Sequence, residues 1–300
     1  MTAKVLSART VDLVSLMKPN IMVMALLTGA GAIRLAPAAM PLGHELLVLL
    51  GIALIVGCAN TLNMWLERDS DCLMARTKNR PLPTRRLDPT LALVFGALLG
   101  AVALPVLALA GIVPAALGLV ALLLYVGVYT PMKQRTPWAT WVGSVPGAMP
   151  ALMGWTAATG RLDLGGLAVF AILFMWQVPH THAIAIYRQR DYDAAGLKTL
   201  VGTRGIAVTR RAIAGWLVVQ VALSVALYPL GVAGLPYLVA AIALGAMVLV
   251  QGWSGMRSGE AWNSVADAGA ARKWARQVFL TSIVYLPLLF GVMVLGGRPT

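Results

Sequence analysis

Apolar runs of about twenty residues recur along the whole 300-residue chain, and they limit its fold more than any single motif does. In a helix, roughly 20 apolar residues cross the ~30 Å hydrocarbon layer of a bilayer. Inside that layer every backbone N–H and C=O has to find its partner within the protein. Helices satisfy this condition and an open sheet does not. Composition agrees: 59% of the residues are hydrophobic and 12% charged, where soluble domains average about 45–50% and 25%. The expected fold is all-α and polytopic, a single membrane domain over residues 1–300.

Nine candidate spans are expected, at about 20–36, 43–64, 89–108, 111–130, 138–158, 164–187, 210–231, 234–252 and 276–296, separated by Gly, Pro and charged clusters. Residues 7–17 read as a short interfacial helix leading into the first span. Lys4, Arg9 and Lys18 break up the N-terminus before an apolar core can form, so no cleavable signal is expected. Cys58 and Cys72 form no Cys-x-x-Cys pair and signal neither a disulfide nor a metal.

Charge tests the span count. With nine spans the termini lie on opposite sides, and only Arg34, Arg161 and Arg298 of the 24 basic residues fall away from the N-terminal side. The positive-inside rule makes that side cytoplasmic. The net charge of +13 is then mostly topology, helped by anionic lipid, and with no recognisable module it does not indicate nucleic-acid binding. Of the 11 acids only Glu45 and Asp163 lie outside, so function is expected at the cytoplasmic helix ends. The long loops there, 65–88 and 188–209, are four spans apart, which hints at a repeat of four helices.

The first of these loops opens with "NMWLERDSDCLMARTKNRPLP" (63–83). If the second span continues as a helix, Asn63, Glu67 and Asp71 recur every four residues and share one face, while Asp69 points away. Two carboxylates and an amide oxygen suit Mg2+, which takes oxygen ligands and keeps waters and phosphate oxygens in its shell. The bland alternative is a solvated helix end with Glu67 and Asp71 paired to Arg68 or Arg76. Arg76 and Arg80, in a loop stiffened by Pro81 and Pro83, favour a phosphate-bearing ligand, because arginine matches phosphate with two parallel bonds.

A second acidic cluster follows the sixth span. "IAIYRQRDYDAAG" sets Tyr187 and Asp191 four residues apart, with Arg188, Arg190, Lys198 and Arg204 nearby. Lys133, Arg135 and Thr136 form a third, basic cluster on the same side. Together the clusters suit a prenyl diphosphate with its head at the interface and its tail between helices. His180 and His182 lie inside the sixth span, where polar groups usually face the protein interior. One reading has His180 donating to a backbone carbonyl freed by Pro179; another has a histidine ligating haem iron or handling a proton.

The stretch 63–83 resembles the first signature of the UbiA-type intramembrane prenyltransferases. The resemblance continues through "LMKPNIM" (16–22), "YTPMKQRT" (129–136), "GAMPALMGWTAATG" (147–160) and "VPHTHAIAIYRQRDYDAAG" (178–196), and it points to the haem-farnesylating branch. It implies nine transmembrane helices around a central cavity open to the cytoplasmic side of a bacterial-type inner membrane, with the N-terminus cytoplasmic. It implies farnesyl diphosphate and haem b as substrates and haem O as product, for haem-copper oxidase cofactor synthesis. The enzyme that converts haem O to haem A is the implied partner.

By the same resemblance, Asn63, Glu67, Asp71 and Asp191 hold Mg2+, and Asn63, Glu67, Asp71, Tyr187 and Asp191 form the catalytic set. Arg76, Arg80, Lys133, Arg135 and Lys198 hold the diphosphate, and His180 and His182 face the haem. The usual family pattern has Asp at Glu67, Asn at Ala139, and Phe and Trp at Thr181 and His182; it also differs around Lys198. Two competing functions use the same features. Prenylation of an aromatic acid or quinone precursor would use the first motif but gives no reason for the Pro-His segment. A non-catalytic haem-binding assembly or transport protein should line a path across the bilayer with charge, whereas these charges gather at one face.

Overall fold

Each long apolar run forms a helix, as the demand for internal hydrogen bonding requires. The structure is a computed structural model that describes residues 3–257 and 267–296, with side chains described for 8–256 and 269–295. Lys4, Arg257, Glu260, Asp267 and Arg298 of the charge pattern fall outside the described side chains.

The chain begins with α1 (Ala3–Leu16), α2 (Pro19–Leu35), α3 (Leu42–Leu66), a single turn α4 (Arg68–Asp71) and α5 (Pro89–Ala110). Next comes α6 (Ile112–Leu123), which runs through a π-helical turn, Leu124–Tyr129, into the short α7 (Thr130–Met132). Then follow α8 (Ala139–Thr159), α9 (Leu164–Tyr187), the short α10 (Gln189–Ala194), α11 (Leu200–Ala226), α12 (Leu235–Arg257) and α13 (Asp267–Gly296).

Helices occupy all nine expected segments, yet seven are long and apolar enough by themselves to cross a membrane: α3, α5, Ile112–Met132, α9, α11, and the main parts of α12 and α13. An eighth is added if Ala8–Leu16 and Pro19–Leu35, bent by 51° at Met17 and Lys18, count as one span. The remaining segment, α8, carries Pro146, Pro150, Ser144 and three glycines, which lower its hydropathy, and much of it is buried against other helices. The expected loops also hold more helix than the charge pattern suggests. α4 lies in the first; α10 and the start of α11 lie in the second. Thr199 caps α11 by accepting from the Gly202 N–H at 3.0 Å, and Gly205, at φ 77° and ψ 173°, kinks it one turn later.

Neighbouring helices pack in succession, and α13 returns to pack on α2. α2 and α8 supply both halves of the core. Ile33 and Met153 join Ile52 and Leu107 on one side; Leu35 and Trp155 join Ile172, Leu217, Tyr285 and Phe290 on the other. The two helices approach closely because Gly29 faces Gly154, where a methyl group would run into the Gly29 carbonyl. Outside, Leu109, Ile112 and Val250 are more than 70% exposed, which suits lipid as the surrounding solvent. At the end that carries the acidic motifs, Leu16, Met64, Leu82, Leu87 and Ala92 form a small separate core that ties the loop after α4 to α1, α3 and α5.

Candidate active site

The helix that bears the first acidic motif does not run straight through it. α3 stops at Leu66, Glu67 leaves the helical region at φ −95° and ψ 3°, and α4 begins at the next residue. The register survives the break, because the Glu67 N–H still donates to the Asn63 carbonyl at 3.0 Å and the Asp71 N–H to the Glu67 carbonyl at 2.8 Å. Asn63, Glu67 and Asp71 therefore share one side, exposed by only 2%, 6% and 1%. The Asp69 side chain is 88% exposed. Asp69 thus points away as the spacing predicts, and in place of the solvated helix end of the bland alternative there is a buried site.

Each of the three oxygen-bearing side chains is met by a cation. Lys18 donates to Asn63 Oδ1 at 2.7 Å, Lys133 pairs with Glu67, and Arg80 donates to Asp71 Oδ2 at 2.7 Å. The Thr77 hydroxyl, fully buried, donates to the Asp71 carbonyl at 2.7 Å and ties the arginine loop to the acid. Arg68 instead donates to the Trp65 carbonyl and lies over the Trp65 ring. Asp71 Oδ1 is buried and has no hydrogen-bond partner among the described residues.

Two contacts of Asn63 escape sequence reading. Lys18 looks like one more topology charge, but Pro19 at the start of α2 steers the preceding residue out of the right-handed helix. At φ 53° and ψ 71°, Lys18 reaches back to Asn63. Burial, then the nearby Arg80, bring its pKa down to about 7, with Glu67 and Asp71 opposing the fall. The π-helical turn supplies the second. The Thr130 hydroxyl donates to the Tyr125 carbonyl at 2.7 Å and accepts from Asn63 Nδ2 at 3.0 Å. The Lys133 ammonium also lies 5.8 Å from the Tyr129 ring centre.

The second acidic segment repeats the construction. α9 ends at Tyr187, Arg188 leaves the helix at φ −111° and ψ 21°, and α10 follows. Asp191 lies 3.6 Å from Arg188, whose guanidinium stacks 4.7 Å over the Tyr187 ring. The Lys198 N–H donates to the Lys133 carbonyl at 3.0 Å, which joins the third basic loop to the second acidic segment. Tyr192 in α10 has its pKa raised by burial, with Arg76 the foremost charge opposing the rise, so α10 sits within the field of the first motif.

Not every expected residue converges. Arg76, Arg135 and Lys198 are exposed, and their side chains have no partner among the described residues. Asp191 does not complete a ready-made cage with Glu67 and Asp71. Among the described residues no three acidic, histidine or cysteine side chains are grouped to hold one metal, and Asp191 is engaged by Arg188 on its own segment. The remaining donor set still fits a hard divalent ion. It is all oxygen, and Asp71 Oδ1 is buried and free.

His180 does not make the contact to a backbone carbonyl that its proline neighbour suggests. Its Nδ1 lies 2.6 Å from Ser282 Oγ in α13, and its ring stacks on Trp176 at 4.4 Å and packs against Phe279 at 5.1 Å. His182 is buried at 4% exposure and makes no hydrogen bond among the described residues.

A helical membrane bundle with acids and cations paired at one end of its helices is the arrangement of an intramembrane prenyltransferase. The UbiA prenyltransferase family model matches residues 22–283, and the chain belongs to that family. Within it, the chain is 48% identical to the protoheme IX farnesyltransferase of Sorangium cellulosum, over 89% of this chain and 92% of that protein. Two solved structures share the fold. One is described as digeranylgeranylglyceryl phosphate synthase, at TM-score 0.77 and 14% identity over 96% of this chain and 99% of that one. The other is a UbiA homolog from Archaeoglobus fulgidus bound to GPP and Mg2+, at TM-score 0.66 and 17% identity over 94% and 99%.

Proposed function

We propose that the protein transfers a farnesyl group from farnesyl diphosphate to a vinyl group of haem b, giving haem O and diphosphate. The observation that carries this reading is the buried trio of Asn63, Glu67 and Asp71, faced by Lys18, Lys133 and Arg80, in a chain so close to named protoheme IX farnesyltransferases. Arg80 and Lys133 balance the two carboxylates, and Lys18, with its pKa lowered to about 7, adds a positive charge when protonated, so the site favours an anion. Mg2+, held by Asn63, Glu67 and Asp71, with Asp191 acting through a second metal or a water, would supply positive charge to the leaving oxygens. The Archaeoglobus fulgidus homolog, with GPP and Mg2+ bound, supports Mg2+ and a prenyl diphosphate as the ligands of such a site.

The side chains divide the work. Arg80, Lys133 and Lys18 hold the diphosphate close, and Arg76, Arg135 and Lys198 are free to fold over it from outside. As the C–O bond of farnesyl diphosphate breaks, these cations stabilise the charge that gathers on diphosphate in a site that excludes bulk water. The allylic cation is attacked by the vinyl group, a C–C bond forms, and water adds to the resulting haem-side cation with loss of a proton. Tyr187, stacked under Arg188, belongs with Asp191 to the catalytic set, while His180, earlier in α9, faces the haem and His182, two residues on, is buried on another side of the helix. The membrane arrangement that accompanies this reading is nine crossings in a bacterial-type inner membrane, with the N-terminus and the diphosphate site cytoplasmic.

The decisive experiment incubates purified protein with Mg2+, farnesyl diphosphate and either haem b or 4-hydroxybenzoate, and reads products by mass. A hydroxyethylfarnesyl haem is expected. A prenylated hydroxybenzoate with haem untouched would move the acceptor to the aromatic class, and no product from either would remove catalysis.

A further inference from the structure

We propose that Ser282 is a positioning residue that fixes His180 as the tautomer protonated on Nδ1, so that the Nε2 lone pair is offered to the iron of the haem substrate. The proposal rests on the haem reading above and adds the atom and the residue that present it. It follows from counting protons. Ser282 Oγ lies 2.7 Å from the Phe279 carbonyl, which has no proton to give, so the single hydroxyl proton of Ser282 is committed there. The same Oγ lies 2.6 Å from His180 Nδ1. With its proton spent, the serine can only accept, and Nδ1 carries the N–H. A neutral imidazole protonated on Nδ1 has its lone pair on Nε2.

That lone pair is unclaimed. His180 Nε2 makes no hydrogen bond among the described residues, and the ring is only partly covered. A second proton on Nε2 would leave an unpartnered cation inside the bundle, which is costly. The ring is also held in place. Trp176, four residues earlier in α9, stacks on it, Phe279 packs against it, and Trp176 Nε1 donates to the Ser282 carbonyl at 2.9 Å. Two aromatic rings and two hydrogen bonds thus lock α9 to α13 around one imidazole. A metal-ligating histidine usually has this form, donating its other ring N–H to a protein acceptor that sets tautomer and orientation.

The test is a haem b titration of the detergent-solubilised protein, wild type beside Ser282→Ala, Ser282→Thr and His180→Ala, read by absorbance and by the iron–histidine stretch in resonance Raman. Farnesyl diphosphate binding in each variant serves as the check on folding. Wild type and Ser282→Thr are expected to give a histidine-ligated haem. Ser282→Ala should bind haem ~10–100-fold more weakly, with a shifted iron–histidine band, because the group that orients the ligand is gone. His180→Ala should lose the band, and diphosphate binding should stay unchanged throughout. Haem affinity and band unaltered in Ser282→Ala overturn the positioning role. A wild-type protein that makes farnesylated haem but shows no iron–histidine band overturns the ligation and leaves the proposed function standing. Failure to bind haem at all sinks both.

Discussion

The side-chain amide of Asn63 donates to Thr130 Oγ1 at 3.0 Å, and Thr130 donates onward to the Tyr125 carbonyl at 2.7 Å. Because the threonine proton is spent on a carbonyl, Thr130 can only accept from Asn63, and the amide has to present its NH2 to Thr130 and its oxygen to Lys18. Thr130→Val frees the amide to turn. The expected outcome is a ~10–100-fold higher Mg2+ requirement for turnover, the usual cost of losing a group that orients a ligand, with Thr130→Ser close to wild type. The measurement is initial rate against Mg2+ concentration.

Asp71 and Asp69 are two residues apart and differ completely in setting: one is buried against Arg80, the other is in solvent. Asp71→Asn should lower the rate about 10^3-fold, since metal stabilisation of leaving-group charge is worth several kcal/mol at about 1.4 kcal/mol per decade. It should also lower thermal stability, because Arg80 loses its ionic partner. Asp69→Asn should change neither. Equal rate losses in the two variants would refute the one-sided arrangement of the motif.

Spacing made the first motif legible. A period of four residues survived the break at Glu67 because two backbone hydrogen bonds carry the register across it. The cations were legible only as a class. Lys133 and Arg80 do meet the acids, whereas Arg76, Arg135 and Lys198 stay in solvent, and nothing in their local sequence separates the two groups. Lys18, Thr130 and Ser282 lie 45, 67 and 102 residues from their partners, so only tertiary packing joins them. The span at α8 was legible in position but not in character. Its prolines, glycines and hydroxyls mark a helix that packs against protein more than against lipid.

Lys18 is expected to act on the diphosphate rather than on the acceptor. It sits with Arg80 and Lys133, and its ammonium's one hydrogen-bond partner among the described residues, the Asn63 oxygen, is one that a bound metal would claim. Truncating a charged hydrogen bond costs about 1.5–3 kcal/mol, which is ~10–100-fold in affinity. Lys18→Met should therefore weaken farnesyl diphosphate binding by that factor and leave the haem titration unchanged. Equal weakening of both substrates would instead mark Lys18 as a structural tie between α1, α2 and α3.

The close approach of α2 and α8 carries the last prediction. Gly154 faces the Gly29 carbonyl with no room for a side chain, and Ile52 closes the space over Gly29 from α3. These contacts lie deep in the bundle, in segments that carry none of the ion-paired side chains at the motif end. Gly154→Val has to force α8 away from α2, and overpacking of this kind costs about 1–3 kcal/mol or more. Because α2 and α8 belong to both halves of the core, the damage should be global: lower yield from membranes and a lower thermal midpoint in detergent. Protein that does survive should bind farnesyl diphosphate with near-normal affinity, since no ligand to the head group has been touched. A stable Gly154→Val protein with unchanged melting would mean that the helices part easily there and that the Gly29–Gly154 contact does not hold the bundle together.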